Sequence, residues 1–150
     1  MKNIFDQSVA NEVISRINQL TPETNAQWGK MNVAQMLAHC CVAYEMVYDG
    51  THKKPNAFVR FMLGLFVKKG VINNKPYKKN IGTAPAFVVK GNRDFDTEKN
   101  RLVDYISRTA DLGGQHFDGK ESLSFGKLTQ DEWNNLFYKH LDHHLMQFGA

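Results

Sequence analysis

The sequence predicts an all-α fold: an up-and-down four-helix bundle with long crossover loops and one extra helix. Four or five segments repeat apolar residues at helical spacing, and only one short segment suggests extended structure. The connections in the middle of the chain are long and contain several glycines and prolines. Amphipathic helices bury their apolar stripes against one another, which favours a bundle. The length of 150 residues suits a single domain, residues 1–150, with one core.

Two helices are predicted in the first third of the chain. The first covers residues 8–20, where Ser8 can act as the N-cap and the apolar residues form one stripe. The second covers residues 33–49, with Asn32 as its N-cap and Gly50 after its end. His39 lies on the flank of the apolar face of this second helix. Taken alone, that position is typical of a half-buried histidine.

The middle of the chain contains a third helix candidate and a long connection. Residues 55–69 begin with Pro55, a favourable first-turn residue, and include FMLGLFV, which is apolar nearly all round. We expect this helix to be deeply buried or to form an oligomer contact. The lysines that follow it make a membrane-surface helix the less favoured alternative. Residues 70–93 are expected to be irregular, apart from a short extended piece at AFVVK, and to cover a functional end or be mobile.

A fourth helix is predicted to begin at Asp94 or Asp96 and to end near Leu112, where the glycines at 113–114 interrupt it. The loop that follows, GGQHFDGKESLSFGKLT, contains His116. We expect this loop histidine to be solvated rather than to be a ligand.

The last helix is predicted over residues 129–148, TQDEWNNLFYKHLDHHLMQF. Thr129 is a good N-cap, and the acidic first turn suits the helix dipole. At about 100° per residue, His140 and His144 fall near the middle of the apolar face, whereas His143 falls at its edge. The opposite side of the helix holds Asn135, Lys139, Asp142 and Met146.

The two central histidines of this helix indicate a metal site. Residues four apart on a helix have Cβ atoms roughly 5–6 Å apart, so both imidazoles can reach one ion. The alternative is a pair of core histidines that hydrogen-bond to carboxylates or carbonyls. Because bundles build metal sites from facing helices, His39 is the natural third ligand. We therefore predict that His39, His140 and His144 bind a divalent ion, with zinc, nickel and iron as the candidates.

Charge is unevenly distributed along the chain, whose net charge is +4. Eight basic residues and no acidic residue lie between positions 51 and 80, which leaves 11 basic and 15 acidic residues elsewhere. We favour a solvated loop and helix rim over a phosphate, nucleic-acid or membrane contact. We expect no nucleic-acid partner because no nucleic-acid-binding motif accompanies the segment.

The cysteines and the start of the chain favour a cytoplasmic location. Cys40 and Cys41 are adjacent, so their side chains point in different directions on a helix and do not suggest a disulfide framework. Residues 1–8 are short and polar, unlike a secretory signal, and no apolar run is long enough to span a bilayer. We expect no membrane partner.

Two blocks of the sequence resemble the DinB/YfiT-like superfamily. They are WGKMNVAQMLAHC at residues 28–40 and FGKLTQDEWNNLFYKHLDHHLMQFG at residues 125–149. Within the superfamily, the chain is most similar to a branch whose members are of unknown function. The resemblance implies a four-helix bundle with a histidine triad that binds a divalent metal, one ligand on the second helix and an H-x-x-x-H pair on the last. In this sequence those residues are His39, His140 and His144.

The resemblance also implies an activity. Superfamily members include metal-dependent thiol S-transferases, which use small-molecule thiols such as bacillithiol or mycothiol, and metal-dependent hydrolases or isomerases. We therefore expect a metal-dependent enzyme of the thiol S-transferase type, in which a low-molecular-weight thiol attacks an electrophilic small molecule, or a related hydrolase. The main alternative is a non-catalytic metal- or ligand-binding bundle, dimeric through the FMLGLFV helix. Binding of an anionic partner through the basic segment is a third hypothesis.

Several residues near the predicted ligands are candidates for supporting roles, although none is an obvious general base. Gln35 and Gln147 lie one turn from ligands and could orient the imidazole rings, unless they are ordinary surface glutamines. Tyr44 and Tyr48 could donate to a substrate or could simply pack in the core. Cys40 is expected to be a small buried residue rather than a nucleophile.

Overall fold

The structure, a computed structural model, describes residues 1–150 and confirms an all-α fold. Six α-helices form most of the chain: α1 (Gln7–Asn18), α2 (Val33–Tyr48), α3 (Ala57–Phe66), α4 (Lys68–Ile72), α5 (Phe95–Phe117) and α6 (Gln130–Gln147). A 3-10 turn, Pro85–Phe87, lies in the connection between α4 and α5. An antiparallel hairpin of β1 (Glu121–Ser122) and β2 (Gly126–Lys127), which the sequence did not predict, joins α5 to α6.

Four of the helices, α1, α2, α5 and α6, enclose the core. Helix α5 packs against α1, α2 and α6, and α6 also contacts α1 and α2. Fully buried side chains come from all four helices, among them Ile17, Tyr44, Ile106 and Phe137. The Tyr44 ring stacks on the Phe137 ring with centroids 4.7 Å apart. Removal of this apolar surface from water is the main force that holds the helices together.

Helices α2 and α6 begin where the sequence predicts. The Asn32 side chain accepts a hydrogen bond from the Gln35 N–H, and the Gln35 side chain accepts one from the Asn32 N–H. Thr129 and Glu132 form the same reciprocal pair at the start of α6. Each capping box satisfies backbone donors that a helix start would otherwise leave free. The starts of the two helices that carry the histidines are therefore fixed locally.

The ends of α1 and α5 differ from prediction. The N-cap of α1 is Asp6, so the assignment of that role to Ser8 is wrong. Helix α5 begins after Asp94 and is interrupted at Gly113, as predicted, but a further helical turn follows the interruption. Gly113 adopts a non-helical φ of 69°, after which one more turn continues to Phe117. Phe117 is fully buried, and its burial holds this extra turn against the core.

The middle of the chain departs most from prediction. The predicted helix over residues 55–69 is two helices, α3 and α4, and neither contains a buried residue. Deep burial of FMLGLFV is therefore wrong: Phe58 is 72% exposed and Phe61 is 66% exposed. The reason is that α3 packs chiefly on α4, outside the four core helices. The oligomer contact stays a prediction. No helix combines the length and the apolar character that crossing a bilayer requires.

The prediction of an extended piece at AFVVK is also wrong in part, because its first two residues belong to the 3-10 turn Pro85–Phe87. This turn packs against α2. Its N-cap position, Ala84, and the following Val88 have extended backbone angles. The long connection therefore returns to α2 at the level of His39.

One side of α6 that looked polar in sequence is covered by α4. Lys139 is buried, and its Nζ donates to the carbonyl oxygens of Gly70 and Asn73 at 2.9 and 2.6 Å. Asn135 donates to the carbonyl oxygen of Ile72. These two side chains satisfy carbonyls at the end of α4, where a cation is also favoured by the helix dipole. Of the remaining residues on that side, Met146 is exposed as predicted.

Candidate metal centre

The three predicted ligands converge in the structure. His39 comes from α2 and His140 and His144 come from α6, and one ligand nitrogen from each lies within 4.8 Å of the others. The ring centroids are 4.5 to 4.9 Å apart. Because α2 and α6 pack against each other, the i, i+4 pair on α6 faces the single histidine on α2. The three residues form a candidate metal site, hereafter the histidine triad.

The His39 ring is oriented by the backbone of the 3-10 turn. Its Nδ1 lies 2.8 Å from the carbonyl oxygen of Phe87, which can only accept a hydrogen bond. The proton of a neutral His39 is therefore on Nδ1, and the Nε2 lone pair points toward the other two histidines. His39 is buried, not half-buried as its place on the helix wheel suggests, because the 3-10 turn covers that flank of α2.

The His144 ring is oriented by a side-chain amide. Its Nδ1 lies 2.8 Å from Oε1 of Gln147, and Nε2 of the same amide donates to the carbonyl oxygen of Trp28 at 2.6 Å. The bond to Trp28 fixes which end of the amide carries the oxygen, so His144 must donate from Nδ1. A ligand ring held in one tautomer by an outer hydrogen bond is the usual arrangement in metal sites.

The contact between His39 and His140 tests whether these residues suit a cation. Their Nε2 atoms are 2.8 Å apart, and the Nε2 of His39 carries a lone pair. The contact is a hydrogen bond only when His140 has its proton on Nε2. When His140 Nε2 carries no proton, the lone pairs of both Nε2 atoms point toward the same place. Two ligand nitrogens that bind one metal ion are oriented in the same way. The donor set of three imidazoles suits zinc, nickel, copper or iron better than magnesium or calcium.

Burial keeps all three imidazoles neutral. Loss of hydration lowers the pKa of His144 to about 3 and takes the pKa of His140 well below its ordinary value, and the neighbouring imidazoles act in the same direction. Burial also lowers the pKa of His39, against a smaller opposing effect of its bond to Phe87. No carboxylate hydrogen-bonds to any of the three rings. Neutral imidazole is the form that binds metals.

His143 lies beside the triad but does not join it. Its ring packs edge-on against Trp28 and Tyr77, with centroids 5.9 and 5.6 Å away. His143 is buried, although the sequence places it only at the edge of the apolar face of α6. The long connection covers this edge, since Tyr77 packs against the His143 ring. Nearby, Nζ of Lys79 lies 4.2 Å from the centre of the Trp28 ring. An aromatic and cationic wall therefore flanks this side of the triad.

Phe87 closes the other side. Its ring lies 5.5 Å from the His39 ring and 5.7 Å from the His140 ring, centroid to centroid. His140 is the only triad member that is partly exposed. His140, beside the Phe87 ring, is therefore the member of the triad that contacts solvent.

The other residues singled out in the sequence take structural roles. Gln35 caps α2 and donates to the carbonyl oxygen of Gly91, without contact to a triad ring. Tyr44 stacks in the core, and the Tyr48 hydroxyl bonds to Thr109. Cys40 is buried, as predicted, and burial raises the pKa of its thiol well above the ordinary value. None of these side chains bonds to the triad.

His116 is exposed, as predicted, although it lies in the last turn of α5 rather than in a loop. The carbonyl groups of Phe87 and Trp28 orient the triad through His39 and Gln147, and they were not predicted from the sequence. No side-chain pattern marks a backbone carbonyl. For Trp28, the only signal in the sequence was its position shortly before the second helix.

A family model described as a protein of unknown function, DUF1569, matches residues 4–150. The chain belongs to the DUF1569 family. No curated protein and no solved structure matches it. The matched range of this DUF1569 protein includes all three histidines of the triad, and the family description assigns none of them a role.

Proposed function

We propose that this DUF1569 protein binds a divalent transition-metal ion through His39, His140 and His144 and is a metal-dependent enzyme. The proposal rests on one observation: three neutral imidazoles from two helices, two of them buried and one partly exposed, meet with their ligand nitrogens within 4.8 Å. Burial of three such groups together is costly unless their nitrogens have partners. Nδ1 of His39 and Nδ1 of His144 already bond to Phe87 and Gln147, and a shared cation would provide a partner for the nitrogens that face one another.

We also propose that α1, α2, α5 and α6 are arranged as an up-and-down four-helix bundle of the DinB/YfiT-like type. Their mutual packing supports this arrangement. The positions of the histidines support it as well, since one lies on the second of these helices and the i, i+4 pair lies on the last. In this arrangement α3, α4 and the hairpin are additions to the bundle.

The proposed reaction is transfer of a small-molecule thiol to an electrophile, with hydrolysis as the related alternative. A divalent ion on three neutral ligands keeps its full charge and lowers the pKa of a thiol or water bound to it. No carboxylate bonds to the triad, so the chain offers no adjacent general base. That favours a thiol, since its ordinary pKa of about 8.5 is far closer to neutrality than that of water. The thiol proton would pass to solvent, and the sulfur would bond to a carbon atom of the electrophile as the leaving group departs with the electron pair.

The chain's own residues would position and enclose the reactants. The Phe87 carbonyl group holds the His39 ring, and the Trp28 carbonyl group holds the Gln147 amide that orients His144. The Phe87 ring covers one side of His140. The second candidate function is a metal- or ligand-binding bundle that catalyses no reaction and that could form a dimer. The close cover of His39 and His140 by Phe87 favours this candidate, because it leaves little room for a substrate.

Elemental analysis of the purified, untagged protein tests the metal proposal. We expect about one equivalent of zinc, nickel or iron in the wild-type protein, and none in His39→Ala. His116→Ala, which changes an exposed histidine outside the triad, should keep the ion. Absence of metal after incubation with each ion would leave the triad as hydrogen-bonded core histidines. Consumption of thiol in the presence of electrophiles by the metal-loaded protein, and not by His39→Ala, then separates an enzyme from a binding module.

A further inference from the structure

Helix α3 presents an apolar face to solvent. Phe58, Phe61 and Leu65 lie within about 60° of one another at helical spacing and are 72%, 66% and 60% exposed. Met62 and Phe66 extend the same surface and are also exposed. We call these five residues the α3 face. Isolated exposed apolar residues are common, but a contiguous patch of aromatic side chains marks a surface that binds something.

The opposite side of α3 faces the protein and is tied to it. Arg60, on that side, donates to Glu121 of the β-hairpin at 2.7 Å. Lys54, just before the helix, bonds to the same carboxylate. Lys68, just after it, pairs with Glu132 on α6. These contacts lie on the side of α3 opposite its apolar face, which therefore points outward in the structure.

The segment of the chain that contains α3 carries only positive charges. Residues 51–93 contain ten basic residues and no acidic residue. Lys53 and Lys69 are exposed, lie near the two ends of α3 and form no ion pair. An apolar helix face with unpaired lysines at both ends is complementary to a partner surface whose outer layer is negatively charged and whose inner layer is apolar.

This charge pattern disfavours a second copy of the chain as the occupant. A two-fold contact that paired α3 with α3 in an antiparallel way would place Lys69 of one copy near Lys53 of the other. A parallel pairing would place each lysine near its own equivalent. Either arrangement brings like charges together, which opposes association.

We propose that α3 binds the surface of an anionic lipid membrane. The helix has ten residues and is about 15 Å long, so it lies in the plane of the interface rather than across it. The α3 face enters the boundary between headgroups and acyl chains, and Lys53 and Lys69 contact lipid phosphates. This proposal departs from the expectation of no membrane partner and adopts the membrane-surface alternative that the sequence left open for this helix. It does not depend on the metal proposal.

Vesicle co-sedimentation of the full chain tests the proposal. We expect binding to vesicles of phosphatidylcholine with about 30% phosphatidylserine, weakened by salt, and little binding to phosphatidylcholine alone. Phe58→Ser with Phe61→Ser should weaken binding at least about tenfold. Lys53→Gln and Lys69→Gln should each weaken it by about fivefold. All four side chains are exposed, so these variants should fold normally.

Matched controls separate the α3 face from general surface effects. Leu112→Ser removes an exposed apolar side chain on α5, and Lys30→Gln removes a lysine outside the basic segment. Both should bind like the wild-type protein. Absence of binding to anionic vesicles, or binding that survives Phe58→Ser with Phe61→Ser, overturns the proposal. Light scattering could instead find a dimer that the same double variant dissociates and that vesicles do not affect. That result would assign the α3 face to a second copy of the chain and would also overturn the membrane proposal.

Discussion

Nδ1 of His144 and Oε1 of Gln147 are 2.8 Å apart, and the same glutamine amide donates to the carbonyl oxygen of Trp28. The backbone adds a further tie, because the N–H of Gln27 donates to the carbonyl oxygen of Gln147 at 2.8 Å. One residue at the end of α6 therefore sets the tautomer of a triad histidine and anchors the segment before α2.

Replacement of Gln147 should weaken metal binding without abolishing it. We expect Gln147→Leu to lower metal affinity by about 10- to 100-fold, because His144 loses the acceptor that orients its ring. Gln147→Glu keeps an acceptor and should lose less. Competition with a chelator of known affinity measures both. Gln115→Leu, at an exposed glutamine, is the control, and equal affinities for Gln147→Leu and the wild-type protein would contradict the positioning role.

His140→Ala should abolish stoichiometric metal binding and leave the protein folded. The remaining two imidazoles cannot replace a set of three, whereas alanine has a higher helix propensity than histidine. Metal content and circular dichroism report the two effects. His143→Ala is the matched control, since it removes the adjacent histidine that faces Trp28 and Tyr77 and should keep its metal. A full equivalent of metal in His140→Ala would remove that residue from the triad.

Gly29→Ala should lower both stability and metal affinity. Gly29 has a φ of +85°, and a Cβ there would lie 2.5 Å from Nε2 of Gln147. We expect a loss of about 1–2 kcal/mol in the free energy of unfolding from the backbone strain, together with displacement of the Gln147 amide. Gly50→Ala is the control, since its φ is +63° but no atom lies near its Cβ. It should lose stability without losing metal affinity; equal affinity losses in both variants would show that Gly29 has no specific role.

The chelator-treated protein should lose stability as the pH falls below about 6.5. Because the folded-state pKa of His144 is depressed to about 3, the unfolded chain binds more protons between these values. Stability is therefore greatest above the unfolded pKa and falls with pH until the folded pKa is reached. For His144 alone the loss at pH 5 is about 2 kcal/mol. Urea unfolding at pH 7 and pH 5 measures it, and His144→Leu should show a correspondingly smaller decrease.

The two cysteines should be inert in the native protein. Both are buried, and burial raises the pKa of the Cys41 thiol to about 12 and that of Cys40 well above its ordinary value. Thiolate is the reactive form, so Ellman's reagent at pH 8 should react with neither thiol before unfolding and with both after it. Rapid modification of one thiol in the native state would reopen the question of a cysteine nucleophile.

Local sequence signals predicted the helices that carry the histidines. The capping residues Asn32 and Thr129 mark the starts of α2 and α6, and helical spacing alone places His140 and His144 on one face. The convergence of His39 with this pair also follows from two packed amphipathic helices. These features depend on residues within a few turns of one another, which is the range that periodicity describes.

The rest of the site depends on the path of residues 51–93, which periodicity does not describe. The carbonyl oxygen of Phe87 reaches His39 across 48 residues of sequence, and α4 buries Lys139 from a distance of more than 60 residues. The exposed face of α3 was missed for a related reason. An apolar segment predicts that its side chains are buried against another surface. It does not show whether that surface belongs to the same chain or to a partner.

The contact between His39 and His140 spans 101 residues of sequence. During synthesis, His39 is made long before α6. The chain between the two helices must then close into a long loop before they can come into contact. During synthesis α2 therefore presents one imidazole, which is too few to retain an ion. If the triad binds metal, its complete set of ligands exists only when α6 has docked against α2. Full metal affinity would then appear late in the maturation of the protein.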